Sequence, residues 1–227
     1  LGAMLGPEAE DVWAMTFHSA CCRILRRDIK RLGYSRSFTI YDTADSERIM
    51  KDIVKDMGLD DKTFPAKFLL GIISKEKDRM VSPDDLMERA ENSGDMRLLP
   101  VAKAYKKYQT KLRENNAVDF DDIILLTVKL LQENEDIREY YQRKFRYVLV
   151  DEYQDINPMQ NEIITKNPES IHVLVLDDDE TQLILISEIL KKGKIKATTT
   201  TKADKALELI ENNDTIQSDT TVVFKNI

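Results

Sequence analysis

Through the middle of the chain, apolar residues recur three and four positions apart, the spacing that gives a helix one face to bury. The pattern predicts helices over Ser46–Met57, Lys67–Arg79, Pro83–Asn92 and Leu98–Asn115. The punctuation agrees with it. Asp42 or Thr43 stands where a cap belongs, and Gly58 stops the first helix. Ser82 precedes a proline at the first helical position of the third. Before this block, His18–Leu32 reads as a basic amphipathic helix ended by Gly33. After it, Asp119 or Asp121 opens a helix that runs to about Glu133, and Ile137–Phe145 continues helical.

At both ends of the chain the pattern changes to short apolar runs. Val12–Phe17, Tyr147–Val150, Ile171–Leu176 and Ile195–Thr200 read as strands. Pro158–Thr165, Glu180–Lys192 and Lys202–Asn212 read as helices between or after them, and Thr221–Phe224 is a last apolar run. A helical block therefore sits between two pieces with α/β patterning, and the expected class is a helix-rich α/β fold.

Composition narrows this only a little. At 227 residues, one or two domains are expected. Apolar residues make up 42% and charged residues 33%, a globular balance. No apolar run reaches the ~18 residues of a membrane span. The start, LGAMLGPEAED, has neither the basic nor the apolar region of a secretory signal, so a cytoplasmic location is expected. It also lacks a natural start, which suggests a fragment. The adjacent Cys21 and Cys22 cannot build a disulfide framework or a zinc site, and read as two reduced thiols on a helix.

Charge matters more through its placement than its sum. The net charge is −7, but Arg23, Arg26, Arg27, Lys30, Arg31 and Arg36 cluster against a single Asp28. A second basic run holds Lys103, Lys106, Lys107, Lys111 and Arg113. Such runs are either solvated helix faces or phosphate-contacting surfaces. Arginine ends at Arg146 and tyrosine at Tyr153, and threonine then becomes frequent. This shift suggests two sources of sequence, with the turn pair Asn167-Pro168 as a joint.

The densest chemistry lies at Tyr147–Asp155. A continuous apolar run is the mark of a strand buried on both faces of a parallel sheet. It is followed at once by Asp151, Glu152, Gln154 and Asp155. Ligands of open α/β sheets sit at the carboxyl ends of strands. Carboxylates there can hold Mg²⁺ on a nucleotide, and a neighbouring glutamate can activate the attacking water. An acidic cap for the helix after Pro158 is the competing reading.

The run Val150-Asp-Glu-Tyr-Gln-Asp155 resembles the Walker B box of UvrD/Rep/PcrA-type superfamily 1 DNA helicases. Thr16-Phe-His-Ser19 resembles that family's TFHS motif, and Asp119-Phe-Asp-Asp122 its DFDD segment, in the family's order. The resemblance covers about residues 1–162. It implies that Asp151 ligates Mg²⁺ and that Glu152 is the base for ATP hydrolysis. Gln154 and Asp155 would couple nucleotide state to neighbouring motifs. Thr16, Phe17 and His18 would lie against the DNA strand, with Phe17 as a base-stacking surface. Arg23, Arg26, Arg27, Asp119 and Phe120 complete the implied DNA-contacting set. The implied organisation is a RecA-like parallel sheet built from 1–19 and 141–165, with a DNA-contacting helical subdomain inserted over 20–140. The implied activity is that of a 3′→5′ helicase of the DNA-repair type, using ATP and Mg²⁺ on single-stranded or junction DNA without sequence preference. No membrane partner is implied, and no motif bears on oligomeric state.

A phosphate cradle of the form G-x-x-x-x-G-K-[ST] is needed for such a motor. None of the seven glycines begins one. In the family that loop lies upstream of TFHS, and the second RecA-like domain with its arginine finger follows later. This chain by itself is therefore expected to bind DNA without turning over ATP, and to need no cofactor.

Residues 166–227 carry a second resemblance. His172–Glu180 looks like the first strand and acidic turn of a response-regulator receiver domain, a flavodoxin-like βαβα(β) segment in which Asp177 and Asp178 would bind Mg²⁺. Lys225 follows the last apolar run where a phospho-accepting aspartate would stand, so no phosphorelay is expected. The alternative to a helicase piece is thus a receiver-like module fused to helicase-derived sequence. In a third arrangement, Ile171–Leu176 lies beside Tyr147–Val150 and completes the RecA-like sheet through a βαβ unit.

Overall fold

A computed structural model describes residues 13–151, 157–165, 172–176, 184, 187–188, 190–191, 196–201 and 220–224. The chain divides into two compact units. One is Leu1–Arg23 with Leu130–Ile227, and the other is Ile24–Lys129.

The first unit is built on a parallel sheet. Its strands are β1 (Trp13–Met15), β4 (Phe145–Asp151), β5 (His172–Leu176), β6 (Lys196–Thr200) and β7 (Thr220–Phe224). They lie in the order β1-β7-β4-β5-β6, and every neighbouring pair is parallel. Val148, Val173 and Val175 are buried on one face of this sheet, since Val148 stands in register with Val173 and Val175 follows it by two residues. At the β1 edge, the ring of Trp13 meets Phe145 edge-on at 4.8 Å, and Phe145 stacks on Tyr141 at 5.7 Å. The guanidinium of Arg23 lies 4.2 Å over the Trp13 ring, a cation–π contact that keeps the charge at the surface. Tyr141 belongs to helix α7 (Glu135–Lys144), which runs straight into β4.

Two expectations change here. The helix expected to reach Phe145 stops at Lys144, because Phe145 has extended angles (φ −110°, ψ 90°) and starts the strand. The last apolar run forms a strand, Thr220–Phe224. It is β7, inserted between β1 and β4, with Val222 beside both Trp13 and Val148. A receiver would place its first strand between its second and third. Here β5 lies between β6 and β4, and β7 lies on the far side of β4. The receiver reading thus lacks its strand order, whereas the pairing of β4 with β5, Tyr147 opposite His172, follows the sheet-completing arrangement. The helix expected over Lys202–Asn212 lies outside the described residues.

The second unit is helical. Helix α1 (Phe17–Asp28) enters it and tightens into a 3-10 turn over Ile29–Leu32. Then come α2 (Thr43–Asp56), α3 (Ala66–Asp78), α4 (Pro83–Ser93), α5 (Leu98–Glu114) and α6 (Phe120–Glu133). Met50, Val54, Leu69, Leu86, Tyr105 and Leu112 have no exposed surface and form its core. At about 1.5–3 kcal/mol for each fully buried large apolar side chain, this core is the main source of the unit's stability.

Gly33 ends the 3-10 turn in the left-handed region (φ 80°). A Cβ there would meet Nη2 of Arg113 at 2.7 Å, the guanidinium that donates to the Leu32 carbonyl at 3.0 Å. The positive φ favours glycine there, and any side chain would also have to displace the end of Arg113. Two short strands, β2 (Thr39–Ile40) and β3 (Ala117–Val118), pair in parallel and tie the ends of this unit's chain together.

The caps explain why the helices start where they do. The Asp42 carboxylate accepts the Asp45 amide at 2.8 Å. Ser82 and Asp85 form a reciprocal capping box, with Pro83 at the first helical position. Ser82→Ala should cost about 1 kcal/mol in thermal unfolding followed by circular dichroism, and an unchanged melt would show that the box contributes nothing.

Candidate nucleotide edge and nucleic-acid residues

The carboxyl ends of the strands share one edge of the sheet. In register, Met15 lies beside Phe224, Phe224 beside Val150, Asp151 beside Leu176, and Leu176 beside Thr200. The backbone thus leaves the sheet at Asp151 on the same edge at which it leaves β1 for Thr16. A carboxylate donor at a strand's carboxyl end suits a hard cation such as Mg²⁺. Glu152, Gln154, Asp155, Asp177 and Asp178 lie outside the described residues. Among the described residues, no group of three or more His, Cys, Asp or Glu side chains is gathered to hold a metal.

At that edge Thr16 starts α1. Its Oγ1 accepts the Ser19 amide at 3.2 Å and donates to the Ser19 hydroxyl at 3.0 Å, and its carbonyl accepts the Ala20 amide. The first turn of α1 carries no acidic residue, so the positive end of its dipole is not neutralised locally. Phe17 is only 2% exposed. Its ring is a core group with no face to offer a base, contrary to the stacking role expected of it. His18 is half-buried beside it.

The basic residues of α1 separate into different tasks. Arg23 covers Trp13. Arg26 donates to the carbonyls of Arg36 and Phe38, at 2.7 and 2.6 Å, and lies 3.7 Å over the Phe38 ring. Its Nη1 holds the loop that follows the 3-10 turn, while the side chain stays exposed. Arg27 is exposed, with Asp28 at 3.5 Å. In the second basic run, Lys106 pairs with Asp84 at 2.7 Å and Lys111 with Glu114 at 3.5 Å. Lys103 and Lys107 stand exposed on α5.

The DFDD segment is the most structured part of the second unit. Asp119 and Asp122 cap the first turn of α6 reciprocally. The Asp122 amide donates to Asp119 at 2.9 Å, and the Asp119 amide to Asp122 at 3.3 Å. Nζ of Lys77, from α3, lies 2.6 Å from Asp119 and 2.8 Å from Asp122, with its side chain fully buried. Tyr108 donates to Asp119 at 3.1 Å and Gln109 to Asp122 at 2.8 Å.

Burial opposes every charge in this cluster, and the partners decide the outcome. For Lys77, burial is outweighed by the charges of Asp122 and Asp119, which hold the ammonium above the ordinary lysine range. For Asp119, burial is outweighed by Lys77, the Asp122 amide and Tyr108, so its carboxyl sits below the ordinary value. For Asp122, burial and the like charge of Asp119 prevail, and its carboxyl is pushed up to about 6. Asp119 is therefore a structural group, since a buried, lysine-paired carboxylate has nothing to offer a phosphate. This too corrects the expectation. Phe120, between the two aspartates, is instead 57% exposed.

Lys77, Tyr108 and Gln109 were not signalled by any motif. One sign was available for Lys77. It continues the buried stripe of Leu69 and Ile73 at steps of four, so a charge there must find a partner.

A parallel sheet with Asp151 at its carboxyl edge, accompanied by a mainly helical unit, defines the class: a helix-rich α/β fold. The profile of the UvrD/REP helicase N-terminal domain matches residues 2–185. The chain belongs to that family. It is 42% identical over 182 residues to the ATP-dependent DNA helicase PcrA of Bacillus subtilis, which covers 80% of this chain and 24% of that protein. Over 161 residues it is 42% identical to the PcrA helicases of Staphylococcus epidermidis and Staphylococcus aureus, covering 71% of this chain and 22% of each. The chain thus spans about a quarter of the length of these curated relatives. The family match runs past the expected limit at residue 162 and takes in β5, in agreement with the β4–β5 pairing. No helix among the described residues is long and apolar enough to cross a membrane.

Proposed function

We propose that this chain is the DNA-engaging part of the first motor domain of an ATP-dependent 3′→5′ DNA helicase. The observation that carries this reading is the shared edge of the sheet, where Asp151 ends β4 and Thr16 starts a capped helix, in a chain of this family. Asp151 would hold Mg²⁺ on the ATP phosphates of the whole enzyme. Glu152 would activate water, with Gln154 and Asp155 coupling nucleotide to neighbouring motifs. Asp177 and Asp178, after β5, would stand near the same edge. The supply of charge neutralisation is the cation's contribution; the chain's own is to place carboxylates at a strand end.

For DNA, the exposed Arg27 and Phe120 support a phosphate contact and a base-stacking contact, and Thr16, His18 and Arg23 flank the first of these in sequence. Residues 20–140 would act as the helical subdomain inserted in the motor. Single-stranded or junction DNA, bound without sequence preference, is the expected partner, in the cytoplasm.

Fluorescence anisotropy of a labelled oligothymidylate should show binding that weakens linearly in log–log terms as salt rises. The same preparation should show no DNA-stimulated ATP hydrolysis, because no G-x-x-x-x-G-K-[ST] loop occurs in the 227 residues. Stimulated hydrolysis would overturn the division of labour stated here.

A further inference from the structure

Phe120 is one of only a few large apolar side chains exposed among the described residues, and it stands between two of the most deeply held carboxylates. The arrangement is specific. Asp119 is the cap and Asp122 the third helical residue of α6, and each accepts the other's amide. Every carboxylate oxygen is occupied. Oδ1 of Asp119 takes the Asp122 amide and Oδ2 takes Lys77 and Tyr108, while Oδ1 of Asp122 takes Lys77 and Gln109 and Oδ2 the Asp119 amide. The ammonium is the one group that touches both.

We infer that Lys77 is a positioning residue for DNA binding. By pinning both aspartates from beneath, it fixes the rotation of the first turn of α6 and so holds Phe120 outward as a rigid face for an unpaired base. Residues at positions one and four of a helix turn share a face, so anchoring Asp119 and Asp122 to the interior leaves the intervening Phe120 no inward course. A preorganised aromatic gives up little freedom on binding, which is what a stacking contact needs. A lysine is suited to this task because its compact ammonium can serve two carboxylates at once. The inference rests on the reading of Phe120 as a DNA contact.

The test is a double-mutant cycle read by oligothymidylate anisotropy on the full chain, with folding checked by circular dichroism. Phe120→Ala should weaken binding about tenfold, the scale of one stacked base. Lys77→Met should weaken it by a similar factor, and adding Phe120→Ala to Lys77→Met should weaken it no further. If Lys77→Met does not fold, Lys77→Met/Asp122→Asn takes its place, since it keeps one buried negative charge and removes the clamp. An oligonucleotide carrying 2-aminopurine should lose its stacking signal in both single variants.

Wild-type affinity in the folded lysine variant, or losses that simply add to those of Phe120→Ala, would overturn the positioning role. No effect of Phe120→Ala on its own would instead overturn the DNA reading of Phe120.

Discussion

Lys77→Met should lower the stability of the helical unit by about 3–5 kcal/mol, the cost of removing one partner from a buried ion cluster. Methionine fills nearly the same volume, so the loss is electrostatic and not a cavity effect. The variant leaves Asp119 and Asp122 facing each other, both buried, with only Tyr108 and Gln109 as side-chain donors. A proton can take the place of the missing ammonium, so mildly acidic solution should restore part of the loss. Urea unfolding of the wild type and the variant, followed by helical circular dichroism, measures the difference. A change below about 1 kcal/mol would mean that the cluster is no better than a surface pair.

The second large effect is a fall in stability as pH rises from about 4 to about 6. Burial pushes the Asp122 carboxyl up to about 6 from an ordinary 3.8. In that window the unfolded chain has lost its proton and the folded cluster still holds it, so each step up in pH favours unfolding. The fall is complete above about pH 6. Asp119 works in the opposite sense. Its lowered carboxyl adds stability that is present above its ordinary value and is lost as the solution becomes more acid. The helical unit should therefore be most stable near the foot of the Asp122 transition. Asp122→Asn should remove the fall between about pH 4 and 6 while leaving the acid limb. A wild-type profile that is flat or rising across that window would show that Asp122 ionises normally.

Much of this architecture is legible in the chain because its elements are long and well punctuated. Pro158–Thr165 forms over the residues expected of it, and the four central helices end within a few residues of their predicted limits. Gly33 closes α1's 3-10 extension as read, and Cys21 and Cys22 lie within that helix. What was not legible depends on distant partners. Strands β2 and β3 have two residues each, too few for any periodicity, and exist because Asn116 and Thr39 meet across the unit. The run at Thr221–Phe224 gives no hint that it will enter the sheet between β1 and β4.

The candidate site shows the same division. Motif spelling points to TFHS and DFDD but does not say which side chain within each faces outward. Phe17 begins a helix whose first turn packs inward, so it is buried, while Phe120 begins one whose flanking aspartates are drawn inward, so it is exposed. Arg26 looks like any other cation in its run until the carbonyls of Arg36 and Phe38 are seen to claim it.

The most direct measurement is the affinity of the purified chain for a labelled oligothymidylate over a range of salt concentrations, with wild type and Phe120→Ala side by side. The proposed function predicts binding that falls steeply with salt in both, and a roughly tenfold weaker, parallel line for the variant, since stacking is insensitive to counterion release. Absence of binding, or affinity indifferent to salt, would contradict a DNA-engaging role for this part of the helicase.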